Sequence, residues 1–337
     1  MAANMARPAV SVISPVYNKR PFLNGCVESC LRQSLQEIEL VFVDDGSTDG
    51  SLDELRKLAN GDSRIKVFSQ ENSGAALARN RGIHEATGEF VFFLDPDDYI
   101  PETTALQRLY ESAQRWGTSI AGGSMAIDRG GVLDRDSLHG SSLDSFESEG
   151  VVEYRDYQYD YDYTRYIYSL DLLRDREVNF PALTQFEDPV FFVHAMLAAE
   201  RFSTIPDVVY AYRVAYRMEG SWSAQMVLDR IAGIQELLDL SRNLKLDVLH
   251  AHLAGQLDGE MRSACLDNSD NDAVLAAMCH ASASVDVGLL KSADPSAPDI
   301  FVLEAFKRMG KAFAVRRALR NTPPGRLAVF LKRKIAG

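Results

Sequence analysis

Ile38-Glu39-Leu40-Val41-Phe42-Val43 runs straight into Asp44-Asp45-Gly46-Ser47, and a second run, Glu89-Phe90-Val91-Phe92-Phe93-Leu94, ends in Asp95-Pro96-Asp97-Asp98. Apolar runs of this length, flanked by turn residues, read as buried strands. Open α/β sheets bind ligands outside the carboxyl ends of their strands, which is where these carboxylates stand. Two acidic tips on neighbouring strands repel unless a cation or hydrogen-bond donors lie between them. The layout suits a nucleotide and a divalent metal.

Working outward, strands are expected at Val10 to Val16, Ile38 to Val43, Ile65 to Phe68 and Phe90 to Leu94. Helices are expected between them, from Phe22 to Gln33, from Ser51 to about Leu58 and from Gly74 to Ala86. Strands alternating with short helices predict an α/β fold with a mostly parallel central sheet covered on both faces. Beyond Asp98 the pattern loosens. Pro101 is expected to start a helix that runs to about Trp116. Ser119 to Ile127 reads as extended, and Arg129-Gly130-Gly131-Val132 as a hairpin turn. His139 to Val151 is rich in Ser, Gly and acids and reads as a loop. Seven tyrosines from Tyr154 to Tyr168 follow, fitting either an amphipathic element or a sugar-stacking surface. Phe186 to Ala199 reads as a helix, Val208 to Val214 as a strand, and the chain from Ala224 as mainly helical.

The 337 residues allow one large domain or two modest ones. The net charge of -12 hides an asymmetry. From Ala305 to Gly337 there are ten Lys or Arg and no Asp or Glu. So acidic a body argues against nucleic-acid binding. The basic tail also carries Phe306, Phe313, Leu319 and Phe330. It suits either an anionic membrane surface or the protein's own acidic body. No apolar run approaches the ~18 residues needed to span a bilayer. Strand-like sequence begins at Val10, so no signal peptide is expected. Cys26, Cys30, Cys265 and Cys279 lack zinc-ligand spacing and read as reduced thiols. A cytoplasmic location follows as the expectation, with the tail a means of contact at the inner membrane face. The six histidines show no ligand spacing either, and no Gly-x-x-x-x-Gly-Lys phosphate loop is present.

Several residues have readings of their own. Pro15-Val16-Tyr17-Asn18 ends the first strand, where a flat aromatic and backbone groups can border a base. Asp45 can accept from an imide N–H such as uracil offers, while Ser47, Asp49 and Ser51 resemble helix caps. Magnesium or manganese is held by one or two carboxylates plus substrate phosphates, a role open to Asp95-x-Asp97. Gly74 permits close backbone approach beside Asn72. Arg79 can meet a phosphate or brace the acidic tips. Glu187 and Asp188 open a helix, and an acid there can serve as the base for attack by a hydroxyl.

In order and spacing these motifs resemble family-2 glycosyltransferases of the GT-A fold. They are Val12-Ile13-Ser14-Pro15-Val16-Tyr17-Asn18, Val43-Asp44-Asp45-Gly46-Ser47-Thr48-Asp49, Asn72-Ser73-Gly74 with Ala78-Arg79-Asn80-Arg81-Gly82, Asp95-Pro96-Asp97-Asp98 and Phe186-Glu187-Asp188-Pro189-Val190-Phe191-Phe192. The resemblance covers Ala9 to Ser223. It implies a GT-A domain over residues 1–223, with a nucleotide-binding half to residue 100 and an acceptor half after it. Residues 224–337 are expected to form a helical C-terminal region. The resemblance implies an inverting, metal-dependent transfer of sugar from a nucleotide diphosphate donor, UDP-linked by the Asp45 reading, to a hydroxyl of a glycan or lipid-linked glycan in surface polysaccharide biosynthesis. On that resemblance Pro15, Tyr17, Asp44, Asp45, Asn72, Arg79 and Asp95 bind the nucleotide-sugar. Asp97, with Asp95, holds Mn2+ or Mg2+, and Asp188 is the catalytic base. Glu187, Arg213 and Trp222 meet the acceptor, with Arg217 competing for the role of Arg213 because Val214 to Glu219 is longer than the common pattern. Two rival readings remain: a sugar-phosphate nucleotidyltransferase, which would want a glycine-rich loop after the first strand, and a catalytically dead nucleotide-sugar-binding module.

Overall fold

The computed structural model describes residues 7–135, 145–213, 222–268 and 271–297. The chain divides into two compact units, Met1–Gly220 and Ser221–Gly337. The basic tail from Ala305, Arg217 and His139 lie outside the described residues.

The first unit is built on one mixed sheet. Its strands are β1 (Val10–Val16), β2 (Ile38–Asp44), β3 (Ile65–Ser69), β4 (Phe90–Phe93), β5 (Ile120–Asp128), β6 (Leu133–Asp134), β7 (Gly150–Glu153), β8 (Tyr166–Ser169) and β9 (Arg201–Arg213). The order is β3-β2-β1-β4-β8-β5-β9-β7, with β6 hairpinned onto β5. The first four strands are parallel, and β8 runs antiparallel to both β4 and β5. The chain builds outward from β1 through β2 to β3, then returns to place β4 on the other side of β1. That reversal is the topological switch point, where a crevice opens at the carboxyl ends of the strands.

Strand alternation sends side chains to two faces. Val10, Val12, Leu40, Phe42, Phe90 and Phe92 pack with helices α1 (Leu23–Leu31), α2 (Ser51–Gly61) and α4 (Ala105–Trp116). Ile13, Val41, Val43, Val91 and Phe93 pack on the other face with α3 (Ala75–Glu85), α6 (Leu170–Asp175) and α7 (Glu187–Ala199). Gly82 of α3 lets that helix lie against β1, since a Cβ there would sit 2.3 Å from Ile13 Cγ2. A single turn, α5 (Tyr154–Tyr157), follows β7.

Several boundaries differ from expectation. Pro101 does not start a helix, and α4 begins at Ala105. The intervening turn is held by Gln33, whose amide donates to the Glu102 carbonyl and accepts from the Leu106 N–H. Gly150 and Val151 belong to β7 rather than a loop, because β9 supplies its ladder partners. β9 itself begins seven residues before the expected Val208 and crosses Pro206. The β5–β9 pairing shifts register between Gly122 and Met125, an irregularity that accommodates a residue without an N–H.

The second unit is helical where described: α8 (Ala224–Leu244), α9 (Asp247–Gln256), α10 (Arg262–Asp267), α11 (Asp272–Ala283) and α12 (Val287–Ala293). Its core gathers Ile231, Ile234, Leu238, Leu249, Leu253, Cys265 and Met278. Buried His250 ties α8 to the start of α12, pairing with Ser241 Oγ at 2.8 Å and accepting from the Asp286 N–H at 2.8 Å. All four cysteines are free thiols, and three are buried. Among the described residues, no single helix is long and apolar enough to cross a membrane.

Candidate active site

A cleft of about 450 Å3 opens at the switch point, lined among others by Pro15, Tyr17, Lys19, Asp45, Asn72, Arg79, Asp95 and Asp97. The carboxyl ends of β1, β2 and β4, with the turn after β3 and helix α3, thus bring together Pro15, Tyr17, Asp45, Asn72, Gly74, Arg79, Asp95 and Asp97, all singled out from sequence. Tyr17 caps the wall, 48% exposed, an apolar ring left open to solvent.

The loop after β1 is pinned to the loop after β2. Asn18, at φ 53°, donates its N–H to Ser47 Oγ and accepts from the Thr48 N–H at 2.8 Å. The Lys19 N–H donates to Ser51 Oγ at 3.0 Å and the Arg20 N–H to Asp49 at 3.1 Å. Ser47 and Ser51 therefore brace this loop, while Asp49 does so and also accepts from the Ser51 N–H at 2.9 Å, serving the head of α2 although Gly50 holds the N-cap position. The reason is tertiary: unpaired N–H groups of the β1 loop lie within their reach.

Asp44 and Asp45 part company. Alternation turns Asp44 behind the cleft wall, where it is buried and accepts from the Ser47 N–H and Ser69 Oγ at 3.4 and 3.5 Å. Asp44 is not among the cleft-lining residues. Asp45 does line the cleft, and its carboxylate accepts from Gln70 Nε2 and the N–H groups of Ser73 and Gly74 at 2.8–2.9 Å. A carboxylate has about four acceptor positions, so these donors leave room for one more. Asp45 thereby also fixes the Asn72–Gly74 turn at the head of α3.

Arg79 is the hub of the floor. It is 8% exposed and reaches Asp95 Oδ1 and Glu187 Oε1, each at 3.1 Å. Its guanidinium also lies over the rings of Tyr163 and Phe180. Burial opposes its charge, but Tyr163, Asp95 and Glu187 outweigh that and raise its pKa. One fixed cation thus joins the tip of β4 to the first turn of α7.

Asp188 stands beside Glu187 at the head of α7, after Phe186 in the left-handed region at φ 71°. Such a conformation in a bulky residue stores strain and re-aims the chain. Protein encloses much of the Asp188 carboxyl. Burial, and then the neighbouring Glu187, push its pKa up to about 7, against the pull of Arg79. A carboxyl poised there can take up a proton near neutral pH.

Asp97 and Asp95 are both partly open to the cleft. Asp97 forms an ion pair with Lys19, and Asp95 is held by Arg79. Among the described residues no group of three or more His, Cys, Asp or Glu is placed to hold a metal. Two accessible carboxylates in a cleft fit a metal whose remaining positions come from phosphate and water.

Sequence reading missed how the turn is anchored. Asp98 is buried, accepting from Tyr210 Oη at 2.6 Å and from the Arg213 N–H at 2.8 Å. Burial first, then Asp95, raise its pKa to about 7. Tyr210 Oη also accepts from the Asp95 N–H at 3.4 Å. Arg213, expected at the acceptor, donates to the Asp97 carbonyl at 3.0 Å and lies over the Tyr99 ring. Trp222 belongs to the second unit, beneath the guanidinium of Arg230. Five of the seven clustered tyrosines are buried in the core, so most of that stretch is packing rather than a sugar-stacking surface.

Residues 11–173 match the pattern of glycosyl transferase family 2. The chain is 33% identical over 220 residues to EpsJ of Bacillus subtilis, an uncharacterised glycosyltransferase, covering 61% of each chain. It therefore spans about three fifths of that relative's length. By fold it is similar to S. aureus TarS (residues 1–349), solved with UDP-GlcNAc, at a TM-score of 0.69 and 24% identity over 83% of this chain and 82% of that one. It is also similar to the mannosyltransferase PcManGT of Pyrobaculum calidifontis, solved with GDP-Man and Mn2+, at a TM-score of 0.57 and 20% identity over 94% and 89% of the two chains. The likeness to glycosyl transferase family 2 thus rests on residues 11–173, which carry the paired aspartates at the strand tips.

Proposed function

We propose that this protein is an inverting glycosyltransferase that moves a sugar from a UDP-linked donor to a hydroxyl of a glycan or lipid-linked glycan in polysaccharide biosynthesis. The observation that carries the reading is the Asp188 carboxyl, raised to about 7, whose neighbour Glu187 shares Arg79 with Asp95 of the donor cleft. The base and the donor pocket are thereby mechanically one site.

In this reading Tyr17 and Pro15 border the base. Asp45 offers its remaining acceptor position to the imide N–H, and Asn72 and Gly74 present the turn that Asp45 fixes. Asp95 and Asp97 would hold Mn2+ or Mg2+, which offsets charge building on the departing diphosphate. TarS with UDP-GlcNAc supports the uridine donor, and PcManGT with Mn2+ supports the metal. Asp188 takes the acceptor hydroxyl's proton as that oxygen attacks the anomeric carbon. Glu187, held by Arg79, orients the acceptor beside it. A single base opposite the leaving group is what inversion requires.

The test is a panel of nucleotide sugars with Mn2+ and anomer-resolved product analysis. A UDP-sugar is expected to turn over with inverted configuration. Retained configuration contradicts the mechanism, and Asp188→Asn turning over at the parent's rate removes the base assignment.

A further inference from the structure

We propose that Lys19 is a resident counter-cation that occupies Asp97 in the free protein and moves to the donor's diphosphate when a metal takes its place. This rests on the donor and metal reading above and extends it to a residue that neither motif nor relative assigns. Lys19 and Asp97 both line the cleft and form an ion pair there, their side chains 33% and 26% exposed. An ammonium therefore sits on the carboxylate expected to hold the metal.

The two basic side chains among the described residues of this cleft behave differently. Arg79 is clamped by two carboxylates and two rings, and only 8% of it meets solvent. Releasing it would strand buried charge, which costs several kcal/mol. Lys19 has a fixed root and a free stem. Hydrogen bonds from the N–H groups of Asn18, Lys19 and Arg20 to Ser47, Ser51 and Asp49 hold its backbone. Its four-carbon stem carries a compact charge on rotatable bonds, and the ammonium lies over the Phe22 ring, 5.9 Å from its centre. The ammonium can change partners without moving the loop.

Charge balance supplies the reason to move. Without a ligand, Asp97 needs a cation, and Lys19 provides it. Donor and divalent metal arrive with opposite charges, the metal suited to Asp97 and the diphosphate left needing positive partners. A phosphate–ammonium pair is a charge-assisted contact available to Lys19 from the same cleft wall. Lys19 and the metal thus compete for Asp97, whereas Lys19 and the nucleotide cooperate.

The two relationships predict opposite effects of one substitution. In Lys19→Gln, Mn2+ titrated into the nucleotide-free protein and followed by electron paramagnetic resonance should bind roughly threefold tighter, the scale of a partly exposed ion pair. UDP titrated calorimetrically at saturating Mn2+ should bind about tenfold more weakly. Lys19→Arg should retain most of the UDP affinity, and thermal unfolding of both variants should match the parent. Unchanged or weaker Mn2+ binding by Lys19→Gln overturns the competition, and unchanged UDP binding overturns the transfer to phosphate. A parent that binds no UDP with Mn2+ removes the donor reading and the phosphate contact with it. The Mn2+ comparison is made without nucleotide, so it decides the competition for Asp97 separately.

Discussion

Replacing Asp188 with Asn should cost activity and add stability, and the two effects share one cause. Burial and Glu187 hold this carboxyl at about 7 rather than near 3.8. With such a value, roughly one carboxyl in ten is ionised at pH 6 and about ten in eleven at pH 8. If the ionised form is the base, kcat/KM should rise about tenfold across that interval and then level. Asn cannot accept the proton, so the variant should lose about 10²–10⁴ in kcat/KM and show no acid limb.

Stability moves the other way. The folded protein keeps the Asp188 proton to higher pH than the unfolded chain does. Stability is therefore lost as pH rises from about 4 to about 7 and is level above that. The full displacement corresponds to about 4 kcal/mol, which partial solvent access reduces to about 1–2 kcal/mol. Asn should raise the melting temperature by roughly 3–6 °C at pH 8 and leave it unchanged at pH 4. Release of UDP from donor and acceptor, measured from pH 5.5 to 8.5, and calorimetric melting at the two pH values provide the data. A flat rate profile, or a variant less stable than the parent at pH 8, refutes the reasoning.

Tyr210→Phe removes the hydroxyl that joins Asp98 to the Asp95 N–H, leaving a buried carboxylate short of a donor at about 1–3 kcal/mol. The effect should appear as weaker Mn2+-dependent UDP binding by calorimetry, and an unchanged affinity would show the turn to be held without it. His250 accepts the Asp286 N–H only when neutral, and burial lowers its pKa. Its contribution is present above about pH 6.5 and lost as pH falls through the lower folded value. Denaturant unfolding of the parent should weaken from pH 7.5 to 5.5, with a shallower slope in His250→Gln, and equal slopes would exclude the role. Gly82→Ala would press a methyl into Ile13 and should cost about 1–3 kcal/mol in the same assay.

The strands that meet at the switch point were legible because β1, β2 and β4 are buried on both faces, so that a largely apolar run identifies each without its partner. β1 carries its expected bounds, and β2 and β3 extend one residue beyond theirs. The part of the first unit beyond β4 was harder because its elements depend on distant partners. β7 is strand only beside β9, and Pro206 hides the first half of β9 behind a residue that normally ends a strand. The tyrosine stretch misled because Tyr serves a core as well as a sugar surface when its hydroxyl finds a partner. Tyr154 and Tyr168 donate to the carbonyls of Tyr159 and Tyr163, five residues away in each case.

Within the site, legibility followed the same divide. Acids at strand tips announce themselves because a buried sheet edge has no structural use for several unpaired carboxylates. What answers each acid cannot be read from spacing, since the partners come from other elements. Asp45 is met by backbone N–H groups, Asp95 by Arg79, Asp97 by Lys19 and Asp98 by Tyr210. These answers differ in how easily a ligand can replace them. Backbone donors and a doubly clamped guanidinium stay in place and shape the cleft. A lysine on a flexible stem can yield. The position where the counter-charge is replaceable, Asp97, is therefore where an incoming cation meets least resistance. In the proposed donor complex that asymmetry would favour a divalent cation at Asp97, with Asp95 as its lesser partner.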